Sequence, residues 1–480
     1  MEDTMTIAII GTGVAGMSVL KYLIKLKVKE DILLFDDQKY LSKGRAFQYD
    51  HPDLLMNYPG NQLSMKLNKP DDFEKWVDAQ SQIDEEKHQN EHENKTGNVY
   101  YSRQLFGKYM QSHFEKYVQN KKVQVITNHV RNMIQIDNRY EIQTQDESYQ
   151  VDTVFLATGQ FGTSDHYQLK EIEAFRLWPY PLHQLEVEHN KQYAVLGTGL
   201  SAVDCARYIL PKTNQPLLLF SRKGQVQSVR GKMANIQFKY LTIKNIHKHK
   251  EKGFIPLNKV VELFIKEAKH HKIDIETLLK IKRNDPVKAM QYDLNHPETV
   301  GYLQSFILKL TQQASLIWPY FTNEDKDEYL QNYHQLLQNY TNPMPEDTAT
   351  ELLNAIQNKQ LQIIPNMQDV TYLYNKFRIT TSNEEYRTHY LINATGPSKS
   401  FAQAIEPNDF IKHLFNQGLL IEHPYGGFYV TPETNQVITS SGIAPNFYML
   451  GQKTGGVNFL NNGIVELIQE AKRVVKNYTK

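Results

Sequence analysis

The chain has 480 residues, length for about three domains, and although only 40% of them are apolar, 29 Tyr and 21 Phe supply core area. Its formal net charge of +1 offers no global field for nucleic acid or an anionic membrane, and no apolar run approaches the ~18 residues of a membrane span. Cys205 is the only cysteine, which excludes a disulfide within the chain and a redox-active cysteine pair.

The first strand signal begins near Thr6, leaving a short polar lead, so a cytoplasmic protein without a targeting segment is expected. Residues 6–10 and 31–35 read as buried parallel strands around a helix at 14–28. Between the first strand and that helix lies GTGVAG. Gly11 suits a tight turn, Gly13 lets a pyrophosphate approach the backbone past Val14 and Ala15, and Gly16 allows close helix packing. Twenty residues beyond Gly16 stands Asp36, an acceptor for a ribose hydroxyl, with Asp37 beside it as a substitute. The segment 81–98 is too charged to pack and reads as a solvated insertion. A helix is expected at about 102–119, with Leu105, Phe106, Tyr109, Met110 and Phe114 on one face.

Residues 132–159 align without a gap onto 369–396, with eight of 28 positions identical. Both copies read as a meander leading into a strand that stops at Ala-Thr-Gly: Ala157, Thr158 and Gly159 in the first. Between them the glycine turn itself recurs. Residues 191–202 read KQYAVLGTGLSA, 186 positions after the first copy, placing Gly197, Gly199, Leu200, Ser201 and Ala202 in the same pattern. Twenty residues past Ala202 stands Arg222, followed by Lys223, where a base suits a 2′-phosphate. The pair of turns therefore predicts two different dinucleotides. Residues 257–358 are helical by period, with stripes at Val260, Phe264 and Ala268 and at Leu303, Phe306, Ile307 and Leu310, and read as core or a lid. A last short strand, 446–451, ends at Gly451, ahead of Gln452 and an amphipathic helix.

No histidine cluster has metal-ligand spacing, no hydrolytic set is evident, and the basic run at 244–252 lacks interleaved aromatics, so neither a metal nor nucleic acid is expected. Cys205, just inside the second turn's helix, reads as a small packing residue rather than a reactive thiol.

The order of a glycine turn with an acid, Ala-Thr-Gly, a glycine turn with a base, Ala-Thr-Gly and a final strand–glycine–helix resembles the two-dinucleotide-fold flavoproteins. Through GRAFQYDHPDLLMNYPGNQLSMK at 44–66, YSRQLFGKYM at 101–110 and GTGLSAVDCA at 197–206, the chain is similar to bacterial FAD/NAD(P)-binding proteins related to flavin-containing and N-hydroxylating monooxygenases. That resemblance implies an α/β fold of two Rossmann-like three-layer domains. An FAD domain (1–160 and 397–480) would be split by an NADPH domain (161–256), a helical insertion (257–360) and a return meander (361–396). It implies FAD on Gly11, Gly13, Gly16 and Asp36, with Val130 at the adenine. Arg45, Arg103, Thr158, Gly159 and the loop from Gly451 would contact or flank the FAD. NADPH would lie on Gly197, Gly199 and Ala202, with its 2′-phosphate on Arg222 and Lys223. The resemblance also puts Asn57 and Tyr58 near the flavin ring, where a plain turn role for Asn57 is an equal alternative.

Two departures stand out. Gln452 occupies a position where many relatives carry Asp for the ribityl chain, and the F-x-G-x-x-x-H fingerprint is absent. The expected activity is an FAD-dependent, NADPH-linked oxidoreductase oxygenating a small molecule with molecular oxygen. A reductase passing electrons to a quinone, metal complex or protein, and a redox sensor with little turnover, remain as alternatives. No residue is assigned a catalytic role.

Overall fold

The apolar run Thr6–Ile10 forms a strand with its last four residues buried in the computed structural model, which describes residues 5–80, 91–93, 98–275, 283, 285–406 and 408–480. Asp31–Phe35 and Thr153–Leu156 flank it in parallel. Val123–Ile126 extends one edge of this six-stranded sheet; Gly442–Met449, and then the antiparallel Gln436–Thr439, extend the other. Helix Val14–Leu26 and the C-terminal helix Ile464–Tyr478 pack together on one face, burying Met17, Leu20, Ile468 and Val474. The helix expected at 102–119 spans Arg103–Tyr117, and Ser102 caps it by accepting the Leu105 N–H at 3.3 Å.

A second sheet repeats the plan. Its order is Phe175–Arg176, Tyr390–Asn393, Tyr193–Leu196, Leu217–Phe220 and Leu361–Ile364, parallel throughout. The segment 361–396, read from sequence as a return meander, thus lends its first and last strands to the second sheet. Helix Glu346–Gln357 also belongs there: its apolar face meets that sheet through Leu352, Leu353 and Ala355. The stretch 346–396 is therefore part of the second dinucleotide fold, not a separate return element. The reason is burial, since Leu361 and Ile392, each about 1% exposed, share one apolar cluster with Leu352, Leu353 and Ala355 of that helix.

The duplication reaches individual atoms. Gly11 N–H donates to Phe35 O and Gly197 N–H to Phe220 O, both at 2.7 Å. Ala157 N–H donates to Ile10 O at 2.8 Å, and Ala394 N–H to Leu196 O at 2.9 Å. The meanders carry the same register shift, at Val130/Asn132 and at Met367/Asp369. Two identities of the repeat have a structural cause: Thr144 and Thr381 hydroxyls donate to Glu147 O and Glu384 O, at 2.9 and 3.0 Å, closing the same turn.

Helices from Ile243 to Thr341 form the insertion, with Phe306, Ile317 and Trp318 in its core. The Trp318 ring stacks on Phe459 at 4.0 Å between centroids, and its Nε1–H donates to Gly456 O at 2.9 Å. These contacts fasten the insertion to the segment that follows Gly451. The charged segment at 81–98 lies largely outside the described residues; within it, strand Glu91–Glu93 pairs with Val99–Tyr101.

Candidate functional site: two dinucleotide turns on one cleft

A cleft of about 1670 Å³ is lined by residues of both sheets' turns and of the helical insertion. From the first turn, Gly11, Gly13, Val14 and Ala15 line it. Gly16 lies underneath: a Cβ there would sit 1.9 Å from Gly11 O, so only glycine lets the helix start so close to the turn. Gly11 itself has φ +96°, and its added Cβ would strike Ala157 O at 2.4 Å. Gly197 repeats this relation, at φ +112° and 2.7 Å from Ala394 O. At both helices the N-cap glycine, Gly13 or Gly199, offers no capping side chain, so first-turn N–H groups stay available to an anion, except that of Ala202, which donates to Gly199 O at 3.0 Å. These cradles fit a pyrophosphate.

Asp36 and Asp37 both line the cleft. One Asp36 oxygen accepts from Thr12 N–H at 2.7 Å and Thr12 Oγ1 at 2.6 Å, and burial pushes its carboxyl above the usual range. Asp37 Oδ1 meets His129 Nδ1 at 2.8 Å. The Thr12 hydroxyl in turn accepts from Ser42 N–H at 2.8 Å, tying the turn to the loop bearing Arg45. Arg45, Val130, Ala157, Thr158 and Gly159 line the cleft as well, and the Thr158 hydroxyl is buried with no hydrogen-bond partner. Gly451 and Gln452 close this side. The Gly451 N–H donates to Glu470, a buried carboxylate whose pKa is raised by burial, at 2.9 Å.

The second turn meets the cleft through Leu200 and Ser201, while Gly197, Gly199 and Ala202 are not among the lining residues. Arg222 and Lys223 lie at the exposed end of Leu217–Phe220, away from that lining, and neither forms an ion pair among the described residues. Asn57 lines the cleft, and its amide faces Asn342 of the insertion at 3.5 Å.

Arg103 also lines the cleft, but its guanidinium is engaged by protein. Nη2 donates to Asp204 Oδ2 at 2.6 Å, Nη1 to the Tyr180 hydroxyl at 3.2 Å, and Nε to Leu55 O at 3.2 Å. Tyr180 donates to the same Asp204 oxygen. Neither Tyr180 nor Asp204 was singled out from sequence; the available signal was a lone carboxylate in the apolar helix run AVDCA. Lys453 was missed too. It is 2% exposed, pairs with Glu406 at 3.5 Å, and donates to Gln160 O at 3.0 Å. Burial lowers its pKa to about 8, which the Glu406 carboxylate only partly offsets. Cys205 is fully buried, and burial raises its thiol pKa, consistent with packing rather than reactivity.

Residues 8–161 match a protein-family model described as FAD-NAD(P)-binding. Among solved structures, the chain shares its fold with the ornithine hydroxylase of Pseudomonas aeruginosa (TM-score 0.58, 10% identity, 99% of this chain and 98% of that one). It is similar also to the cadaverine monooxygenase of the desferrioxamine pathway in Erwinia amylovora, solved with FAD bound (TM-score 0.58, 12% identity, 98% and 94%). A flavin monooxygenase from Stenotrophomonas maltophilia matches with a TM-score of 0.55 and 13% identity over 99% and 98% of the two chains. No curated protein sequence matches the chain. The chain thus has the two-dinucleotide flavoprotein fold, built on an FAD/NAD(P)-binding first domain.

Proposed function

We propose that the protein is an FAD-dependent, NADPH-linked oxidoreductase of the monooxygenase type acting on a small molecule. One observation carries the reading: two independently built anion cradles, at Gly11–Ala15 and Leu200–Ser201, contribute to a single cleft. FAD, when bound, takes electrons from NADPH and delivers them to oxygen or another acceptor.

The chain's own residues supply orientation and exclusion of water. The first turn and the uncapped helix after it hold the FAD pyrophosphate, with Asp36 and Asp37 at the ribose and Val130 at the adenine. Arg45, Thr158, Gly159, Gly451 and Gln452 flank the same cofactor. The second turn holds NADPH, with Arg222 and Lys223 on its 2′-phosphate. Arg103 acts as a positioning residue, since its donors hold one fold against the other. The insertion, pinned at Trp318, walls the remaining side, where the substrate sits.

Anaerobic addition of NADPH to the FAD-loaded protein tests the reading. Bleaching of the flavin spectrum is expected, followed on aeration by substrate-dependent NADPH consumption with product oxygenation. Bleaching coupled only to reduction of quinones or metal complexes would instead make it a reductase. Absence of bleaching would remove the enzyme reading altogether.

A further inference from the structure

Where the cleft meets the insertion its wall is uncharged: Asn57, Leu308, Gln312, Gln338, Asn342 and Met344 present amides and apolar surface. Directly behind that wall lies Arg230, 6% exposed. Its Nη2 donates to Asn57 O at 2.7 Å, its guanidinium carbon stands 4.1 Å from the Tyr58 ring centroid, and its backbone N–H donates to Met344 O at 2.8 Å. Asn57, Tyr58 and Met344 all line the cleft.

The guanidinium is under-satisfied. Its Nε is buried without a hydrogen-bond partner, Nη1 reaches only the Met233 sulfur at 3.5 Å, and among the described residues no carboxylate pairs with it. A buried guanidinium ordinarily carries an anion, because desolvating a lone charge is costly. A second group on this side is unpaired as well. The Tyr100 hydroxyl is buried with no partner, and Arg230 acts on it more strongly than either Glu346 or Asp347 taken singly.

We propose that Arg230 is a specificity-determining residue that gives this end of the cleft a fixed positive potential, so that the molecule acted on carries a carboxylate there. The neutral amides of Asn57, Gln312, Gln338 and Asn342 would accept and donate hydrogen bonds to its uncharged part. An ammonium group facing this wall would be repelled. The inference rests on the reading of the cleft as a substrate site.

Calorimetric titration of the FAD-loaded protein with benzoate and with benzylamine, alike in shape and opposite in charge, tests it. Benzoate is expected to bind at least about tenfold tighter. Arg230→Met should erase that difference and Arg230→Lys should keep most of it, with retained FAD reporting that each variant is folded. Equal or tighter binding of benzylamine, no binding of benzoate at millimolar concentration, or an unchanged ratio in Arg230→Met would each overturn the proposal. The wild-type ratio decides even if a variant fails to fold. Bleaching of the same preparation by NADPH is scored separately, so failure of the charge preference is distinguishable from failure of the oxidoreductase reading.

Discussion

Arg103, at the first position of a helix in the first dinucleotide fold, reaches Asp204 in the second fold's fingerprint helix, Nη2 to Oδ2 at 2.6 Å. The Asp204 side chain is 9% exposed and that of Arg103 24%, so the pair is shielded from solvent more than a surface bridge would be. A charge-assisted bond of this kind is worth about 1.5–3 kcal/mol. Asp204→Asn, which keeps the shape and loses the charge, should lower stability by about that amount. It should also slow flavin reduction by NADPH, by up to ~100-fold if the two cofactors shift by about 1 Å. Stopped-flow reduction at saturating NADPH measures the rate; an unchanged rate would remove Arg103 and Asp204 as positioning residues.

Arg222 stands two residues past the end of the strand Leu217–Phe220, whereas Asp36 directly follows Asp31–Phe35, so Ser221 holds the place equivalent to Asp36. Loss of one charge-assisted contact to a 2′-phosphate should weaken NADPH by roughly tenfold or more while sparing NADH. Steady-state KM values for both nucleotides in Arg222→Ala give the answer. An unaltered NADPH/NADH preference would mean the 2′-phosphate is held elsewhere.

Gly16 and Ala202 hold equivalent places but tolerate different changes. Gly16→Ala drives a methyl to 1.9 Å from Gly11 O, so the helix must move. Overpacking of this sort costs about 1–3 kcal/mol, and FAD retention should fall with it. Ala202→Gly only removes a buried methyl and costs about 1 kcal/mol. Flavin content and melting temperature of the two variants should separate clearly; equal behaviour would contradict the close approach.

His113 and His423 make stability sensitive to acid. Burial lowers each pKa to about 4, and the His423 Nδ1 already accepts the Tyr425 N–H at 3.1 Å, a bond that protonation breaks. Unfolded, each takes a proton near pH 6.5, so the unfolded chain binds more protons between pH 6.5 and 4. Stability is therefore full above about 6.5 and declines as pH falls toward 4, at up to ~1.4 kcal/mol per unit for each histidine. Urea unfolding across that range checks the slope, which His423→Gln should reduce.

Much of this arrangement was legible in the chain before folding. The strands at 6–10 and 31–35, both glycine turns and the paired Ala-Thr-Gly ends are local: each depends on side-chain period or on glycine's positive φ. Such features are dictated by neighbours within a few residues, so order along the chain suffices to read them. Tertiary structure alone decided that 346–396 joins the second sheet, that the Arg103 donors go to Asp204, Tyr180 and Leu55, and that Arg230 stands unpaired behind Asn57 and Tyr58. Those outcomes join residues 101 and 173 positions apart. Which buried charge finds a partner depends on how separate elements pack, and no local pattern records that.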